Sequence, residues 1–109
     1  MGDTTWKRFE RLVAARFGLK RRGADFGGRE GGKSDCVQPD GSESIQWSIE
    51  CKRLSRPTWQ QMVDACAQVE RAACDGQEPV VVVGKKGQRV GDALVIQRLD
   101  VFEEWRLGR

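Results

Sequence analysis

The run Val80-Val81-Val82-Val83 constrains the fold more than any other feature of the chain. Four consecutive β-branched apolar residues offer no polar face, so as a strand they must be covered on both sides. A sheet with such a strand inside it takes helices on its faces. Two segments are suited to that task. After Arg56-Pro57-Thr58, residues 58–74 place Trp59, Met62, Val63, Cys66 and Val69 or Ala73 on one helical stripe. Near the start, Asp3 or Thr4 can cap a helix that runs to about Phe17 and stops at Gly18, with Trp6, Phe9, Val13 and Phe17 as its buried stripe. Leu19-Lys20-Arg21-Arg22 reads as a first strand. Lys85-Lys86-Gly87-Gln88 turns the chain into a last strand, Ala93–Gln97, and Asp100 caps a short helix carrying Val101, Phe102 and Trp105. The expected order is helix, three strands, helix, two strands, helix. That makes an α/β fold with a mixed central sheet flanked by helices, and 109 residues form one domain, 1–109.

Residues 45–52 carry the chemistry. Ile45, Trp47, Ile49 and Cys51 alternate with Gln46, Ser48, Glu50 and Lys52, the period of a half-buried strand. Glu50 and Lys52 therefore project from one face, about 6–7 Å apart. The turn Pro39-Asp40-Gly41-Ser42 precedes this strand, and before it lies Ser34-Asp35-Cys36-Val37. A hairpin would lay that short run beside the Glu-x-Lys strand and bring Asp35 toward Glu50. Two carboxylates so close repel, and one takes up a proton unless a cation intervenes. Magnesium favours such a site, with one or two carboxylates, water and a phosphate oxygen. Lys52 would orient or deprotonate the attacking water, or neutralise charge on the phosphate.

Glu10 falls at the edge of the first helix's apolar stripe, between Trp6, Val13 and Phe17, while Arg8 and Arg11 point elsewhere. A carboxylate facing a core is costly unless paired or metal-bound. Glu10 either pairs with an arginine at the stripe's edge or joins the site as a further carboxylate. The net charge is a mild +3, but its distribution is local: Arg21, Arg22, Arg29, Lys33, Arg53 and Arg56 cluster around the proposed site in the sequence. Such a surface suits a polyanion.

Other chemistries are excluded. Gly27-Gly28-Arg29-Glu30-Gly31-Gly32-Lys33-Ser34 matches the P-loop expression literally, yet no helix can follow Ser34, because Pro39 and Gly41 break the segment. The stretch reads better as a glycine-rich loop whose Arg29 and Lys33 can meet a phosphate backbone. Cys36, Cys51, Cys66 and Cys74 contain no C-x-x-C pair, and the chain has no histidine, which argues against a zinc site and a Cys–His nucleophile. Cys51 and Cys66 read as buried, reduced thiols of a cytoplasmic protein. No signal peptide or membrane span is expected.

Glu10 on the first helix, then Asp35, then Glu50-Cys51-Lys52 resembles the PD-(D/E)XK nuclease superfamily. The short length, Ser34 directly before Asp35 and the Glu10-Arg11 pair are similar to archaeal-type Holliday-junction resolvases and their phage relatives. One departure is that Ser34 stands where the nominal signature has proline. The tyrosine of some exonuclease branches is also absent, since the chain has no Tyr. The resemblance implies a restriction-endonuclease-like αβββαβ core and a homodimer. It implies Mg²⁺, or Mn²⁺ in its place, held by Glu10, Asp35, Glu50 and the backbone carbonyl of Cys51. The implied activity is paired symmetric nicking of branched DNA in recombination and repair, leaving 5′-phosphate and 3′-hydroxyl ends, with Lys52 beside the attacking water. The expected DNA contacts are Arg11, Arg21, Arg22, Arg29, Lys33, Ser34, Arg53 and Arg56. Flap, single-stranded or plain duplex DNA are alternative substrates, and a catalytically silent DNA-binding dimer is the alternative from outside enzymology.

Overall fold

A computed structural model of the chain describes residues 5–23 and 33–108. Among these, the order is α1 (Thr5–Arg16), β1 (Lys20–Arg21), β2 (Cys36–Val37), β3 (Trp47–Arg53), α2 (Trp59–Ala72), β4 (Glu78–Gly84), β5 (Leu94–Ile96) and α3 (Leu99–Phe102), the last running on through a wide turn over Glu103–Leu107. The element order is the one the sequence implies. The Asp3 or Thr4 cap and the glycine-rich loop with Arg29 lie outside the described residues.

The strands form two sheets. β3, β4 and β5 lie side by side in that order, β3 parallel and β5 antiparallel to β4, while β1 and β2 form a separate antiparallel pair. Parallel neighbours need a crossover, and α2 supplies it between β3 and β4. β4 is central and buried along its whole length, as its valine run requires. One layer sets Phe9, Val13 and Ala14 of α1 against Ile49, Cys51, Val80 and Val82. The other sets Ala65, Cys66 and Val69 of α2 against Val81 and Val83. None of the described helices is long and apolar enough to cross a membrane.

Several local expectations change. β3 is covered on both faces, because Ser48 and Glu50 are buried along with Ile49. The strand also begins at Trp47. The Ser44 hydroxyl accepts the N–H groups of Gln46 (3.1 Å) and Trp47 (3.0 Å), bending the chain so that Ile45 is left 86% exposed. Trp6 overhangs the core at 48% exposure, covered by the Arg21 guanidinium 5.2 Å from its ring centroid. On α2 the buried stripe centres on Ala65, Cys66 and Val69, which leaves Trp59 78% exposed and Val63 at the surface. The small Ala65 side chain lets the helix seat closely on the valines, and that contact sets its rotation. Asp100 sits inside the first turn of α3, and Arg98 occupies the cap position.

Candidate active site

The site is assembled where β2 meets β3, and Ser34 and Asp35 hold that junction together. The Ser34 hydroxyl accepts the N–H of Ile49 (3.0 Å) and of Cys36 (3.3 Å) and donates to the Cys36 carbonyl (3.0 Å). Asp35 donates its N–H to the Ile49 carbonyl (2.7 Å), while its own carbonyl accepts the Arg22 N–H (2.7 Å). The chain therefore switches partner at Asp35, from β3 to β1. This switch explains why β1 and β2 form a sheet of their own instead of extending the larger one as a regular hairpin would.

With its backbone pinned on both sides, Asp35 aims its carboxylate along the edge of β3. Oδ2 accepts the N–H of Cys51 at 2.8 Å, the residue between Glu50 and Lys52. N–H and C=O of one strand residue project from the same edge, so the Cys51 carbonyl faces the side occupied by Asp35. Lys52 Nζ lies 3.1 Å from Glu50 Oε2. From α1, Glu10 Oε1 accepts a hydrogen bond from Arg21 Nε at 2.7 Å. The arginine partner for Glu10 thus exists, supplied by β1 instead of the helix.

The electrostatics describe acids sharing one poorly solvated region. Burial pushes the Glu50 carboxyl up to about 7, the Asp35 charge adds to this, Lys52 opposes it and Glu10 raises it slightly further. Burial also raises Glu10, helped by Asp35 and opposed by Arg21. Asp35 is raised by burial against the Cys51 N–H, Lys52, Arg22 and Arg21. Desolvation and mutual repulsion both disfavour the charged forms. Behind the strand, the Cys51 thiol is held well above the ordinary thiol range by its hydrogen bond with Cys36 and by burial. Cys36, Cys51 and Cys66 are free and buried, and Cys74 is free and exposed.

Asp35, Glu50 and the Cys51 carbonyl offer hard oxygen donors, with Glu10 nearby, a set suited to Mg²⁺ or Mn²⁺. Among the described residues no three acid, histidine or cysteine side chains are already drawn into one coordination sphere. Arg21 engages Glu10, and Lys52 engages Glu50.

The expected DNA contacts divide into two groups. Ser34 is buried and its hydroxyl is engaged inside the fold, so its role is to stitch β2 to β3. Arg22 is likewise interior, donating to the Ser34 carbonyl and to the Glu43 carboxylate. Arg21 bridges Glu10 and Trp6. Arg11, Lys33 and Arg56 are exposed, and Arg53 is half-buried at the end of β3. Gln61, considered as an accessory to the site, instead completes a capping box with Thr58 at the start of α2. The spacing Thr58-x-x-Gln61 was the signal for that role. The partnership of Arg22 with Glu43 and the bond from Cys51 to Asp35 had no local signal, since both join residues far apart in sequence.

No protein-family model, no curated protein and no solved structure matches this chain.

Proposed function

We propose that the chain is a metal-dependent DNA endonuclease of the PD-(D/E)XK type with a restriction-endonuclease-like core, and that its substrate is branched DNA. One observation carries this reading. The hydrogen bond from the Cys51 N–H to Asp35 holds the upstream acid against the midpoint of Glu50-Cys51-Lys52. An isolated surface Glu-x-Lys would have no reason to receive a half-buried aspartate there, in a region where three carboxylates disfavour one another's ionisation.

Asp35, Glu50 and the Cys51 carbonyl would hold one or two Mg²⁺ or Mn²⁺ ions, with Glu10 directly or through water. A divalent ion at that position supplies Lewis acidity and neutralises charge on a phosphoryl oxygen. The protein's own groups do the remaining work. Lys52 carries its ammonium beside Glu50, where it donates to the attacking water or to a non-bridging phosphate oxygen. Asp35 keeps its orientation through the Cys51 N–H, so one carboxylate oxygen stays free to act. Burial of Glu50 excludes bulk water from the same pocket.

Resolution of a four-way junction takes two symmetric cuts, which a twofold homodimer provides. The exposed apolar side chains of Trp59 on α2 and of Leu94 and Val95 on the edge strand β5 support such a pairing.

The decisive experiment incubates the protein with an immobile four-way junction beside a matched linear duplex, with Mg²⁺ and with EDTA. We expect Mg²⁺-dependent paired nicks in the junction. Asp35→Asn and Lys52→Ala should each lower cleavage by about 100-fold or more while binding is largely kept. Preference for the duplex would withdraw the junction assignment, and unchanged cleavage in either variant would refute the site.

A further inference from the structure

We propose that a cleft between α1 and the turn after β4 is a second phosphate site, holding a phosphodiester of the DNA strand away from the acidic centre. The identity of this ligand rests on the nuclease reading; the cleft itself does not. It has a volume of about 210 Å³ and is lined by Arg8, Phe9 and Leu12 of α1, by Arg53 at the end of β3, and by Gly87 and Gln88 of the turn. β3 and β4 run parallel and end together, with Arg53 opposite Gly84. Open α/β sheets gather ligands outside the carboxyl ends of parallel strands, and the cleft occupies that position.

Its chemistry selects an anion. Arg21, Arg22, Arg89, Arg98 and Arg106 each pair with a carboxylate. Arg8 and Arg53 have no carboxylate partner among the described residues, and no acid lines the cleft. Two guanidinium groups around one small space repel unless something negative lies between them. A phosphate accepts from both, and guanidinium forks suit it. Gln88 adds a third donor: its Oε1 accepts the Lys85 N–H at 3.0 Å, which leaves the amide NH₂ to face a ligand. The apolar floor favours a phosphate carried on a sugar over a free hydrated ion. That floor is rigid, because the Phe9 ring packs against Gly84 so closely that a Cβ there would lie 2.6 Å from it.

The cleft flanks the acidic site without overlapping it. Arg53 directly follows Lys52, but successive strand residues face opposite sides. Arg8 and Glu10 are two positions apart on α1, about 200° around the helix. A strand bound at both places would be fixed at two points of its backbone.

The test uses the full chain carrying Asp35→Asn, which retains an oxygen to accept the Cys51 N–H and removes cleavage from the measurement. Binding of a fluorescent four-way junction is followed by anisotropy across a salt series. Into this background go Arg8→Gln, Arg53→Gln and, as a control, Arg71→Gln, an exposed charge on α2 outside the cleft. Circular dichroism verifies that each variant is folded, and the exposed Arg8 alone suffices if Arg53→Gln is not. Each cleft variant should weaken binding about 5- to 10-fold and reduce the slope of log K against log salt by about 0.9, the signature of one lost phosphate contact. Arg71→Gln should change neither. Parental slopes in the cleft variants would overturn the inference, as would an equal loss in Arg71→Gln, because bulk charge would then be sufficient. Millimolar inorganic phosphate should compete with DNA only when both arginines are present; phosphate that displaces DNA equally from the Arg8→Gln and Arg53→Gln variants would also overturn the inference, because the competition would then lie outside the cleft. If the wild-type chain cuts DNA with Mg²⁺ but the slopes of the cleft variants match the Asp35→Asn background, this inference fails and the nuclease reading stands. If the wild-type chain neither binds nor cuts DNA, both fail.

Discussion

Two buried serines at the junction of β2 and β3 have opposite meanings. Ser34 satisfies the N–H of Ile49 and the backbone of Cys36, whereas the Ser48 hydroxyl is buried with no hydrogen-bond partner among the described residues. Ser34→Ala should therefore destabilise the protein by about 1–3 kcal/mol, because it leaves interior polar groups unpaired. Ser48→Ala should be neutral or mildly stabilising, since it removes a desolvated hydroxyl that gains nothing in return. Urea titration of both variants checks the contrast. Glu50 sets the pH response. Its folded-state carboxyl is raised to about 7 from an ordinary value of 4.5, so the folded protein holds a proton that the unfolded chain releases earlier. That contribution to stability is fully present below about pH 4.5 and is lost as pH rises through 7. In EDTA, the metal-free protein should lose on the order of 2 kcal/mol across that window, and Glu50→Gln should flatten the profile. A wild-type profile that rises with pH between 5 and 7.5 would show that Glu50 ionises freely.

Among the elements, the contact of β4 with α1 and the start of α2 are the most specific. Gly84 ends β4 beneath the Phe9 ring, and any Cβ there must displace that ring or the strand. Gly84→Ala should cost about 1–3 kcal/mol through overpacking, visible as a lowered melting temperature. It should also weaken the floor of the Arg8–Arg53 cleft. The reciprocal capping box of Thr58 and Gln61 closes the first turn of α2. Thr58→Ala should cost about 1 kcal/mol, with little effect on the acidic site, which α2 does not furnish. Equal damage to metal-dependent cleavage and to stability in Thr58→Ala would mean that α2 positions the site after all.

For the whole molecule, the unsettled surface is the side on which β5 ends the sheet. Trp59, Leu94 and Val95 are exposed there, with Leu94 at 62%. A β5 of only three residues cannot cover the flank that the rotation of α2 leaves open. A second copy related by a twofold axis would bury these side chains on both partners at once. Sedimentation should show a dimer for the wild type and a monomer for Leu94→Glu, with paired junction nicks replaced by single ones. A monomeric wild type would remove the dimer from the proposal without touching the chemistry of a single site.

Much was legible in the chain itself, because local physics decides it. The valine run read as a covered central strand, the periodicities from Asp3 or Thr4 to about Phe17 and over 58–74 read as helices, and Glu50 and Lys52 had to share a strand face. The element order and the α/β class follow from those patterns. What the sequence could not express depends on contacts between distant residues. The rotation of α2 was decided by how closely Ala65 approaches the sheet, and the exposure of Trp6 and Trp59 by where the core ends. Ser34 and Arg22 turned inward because Ile49 and Glu43, far along the chain, offered them partners. The turn at 39–42 already implied that Asp35 would come toward Glu50, but the bond that fixes it there was decided only in three dimensions: the Cys51 N–H and the Asp35 carboxylate lie sixteen positions apart, such a contact leaves no periodic trace, and only packing can bring its two ends together.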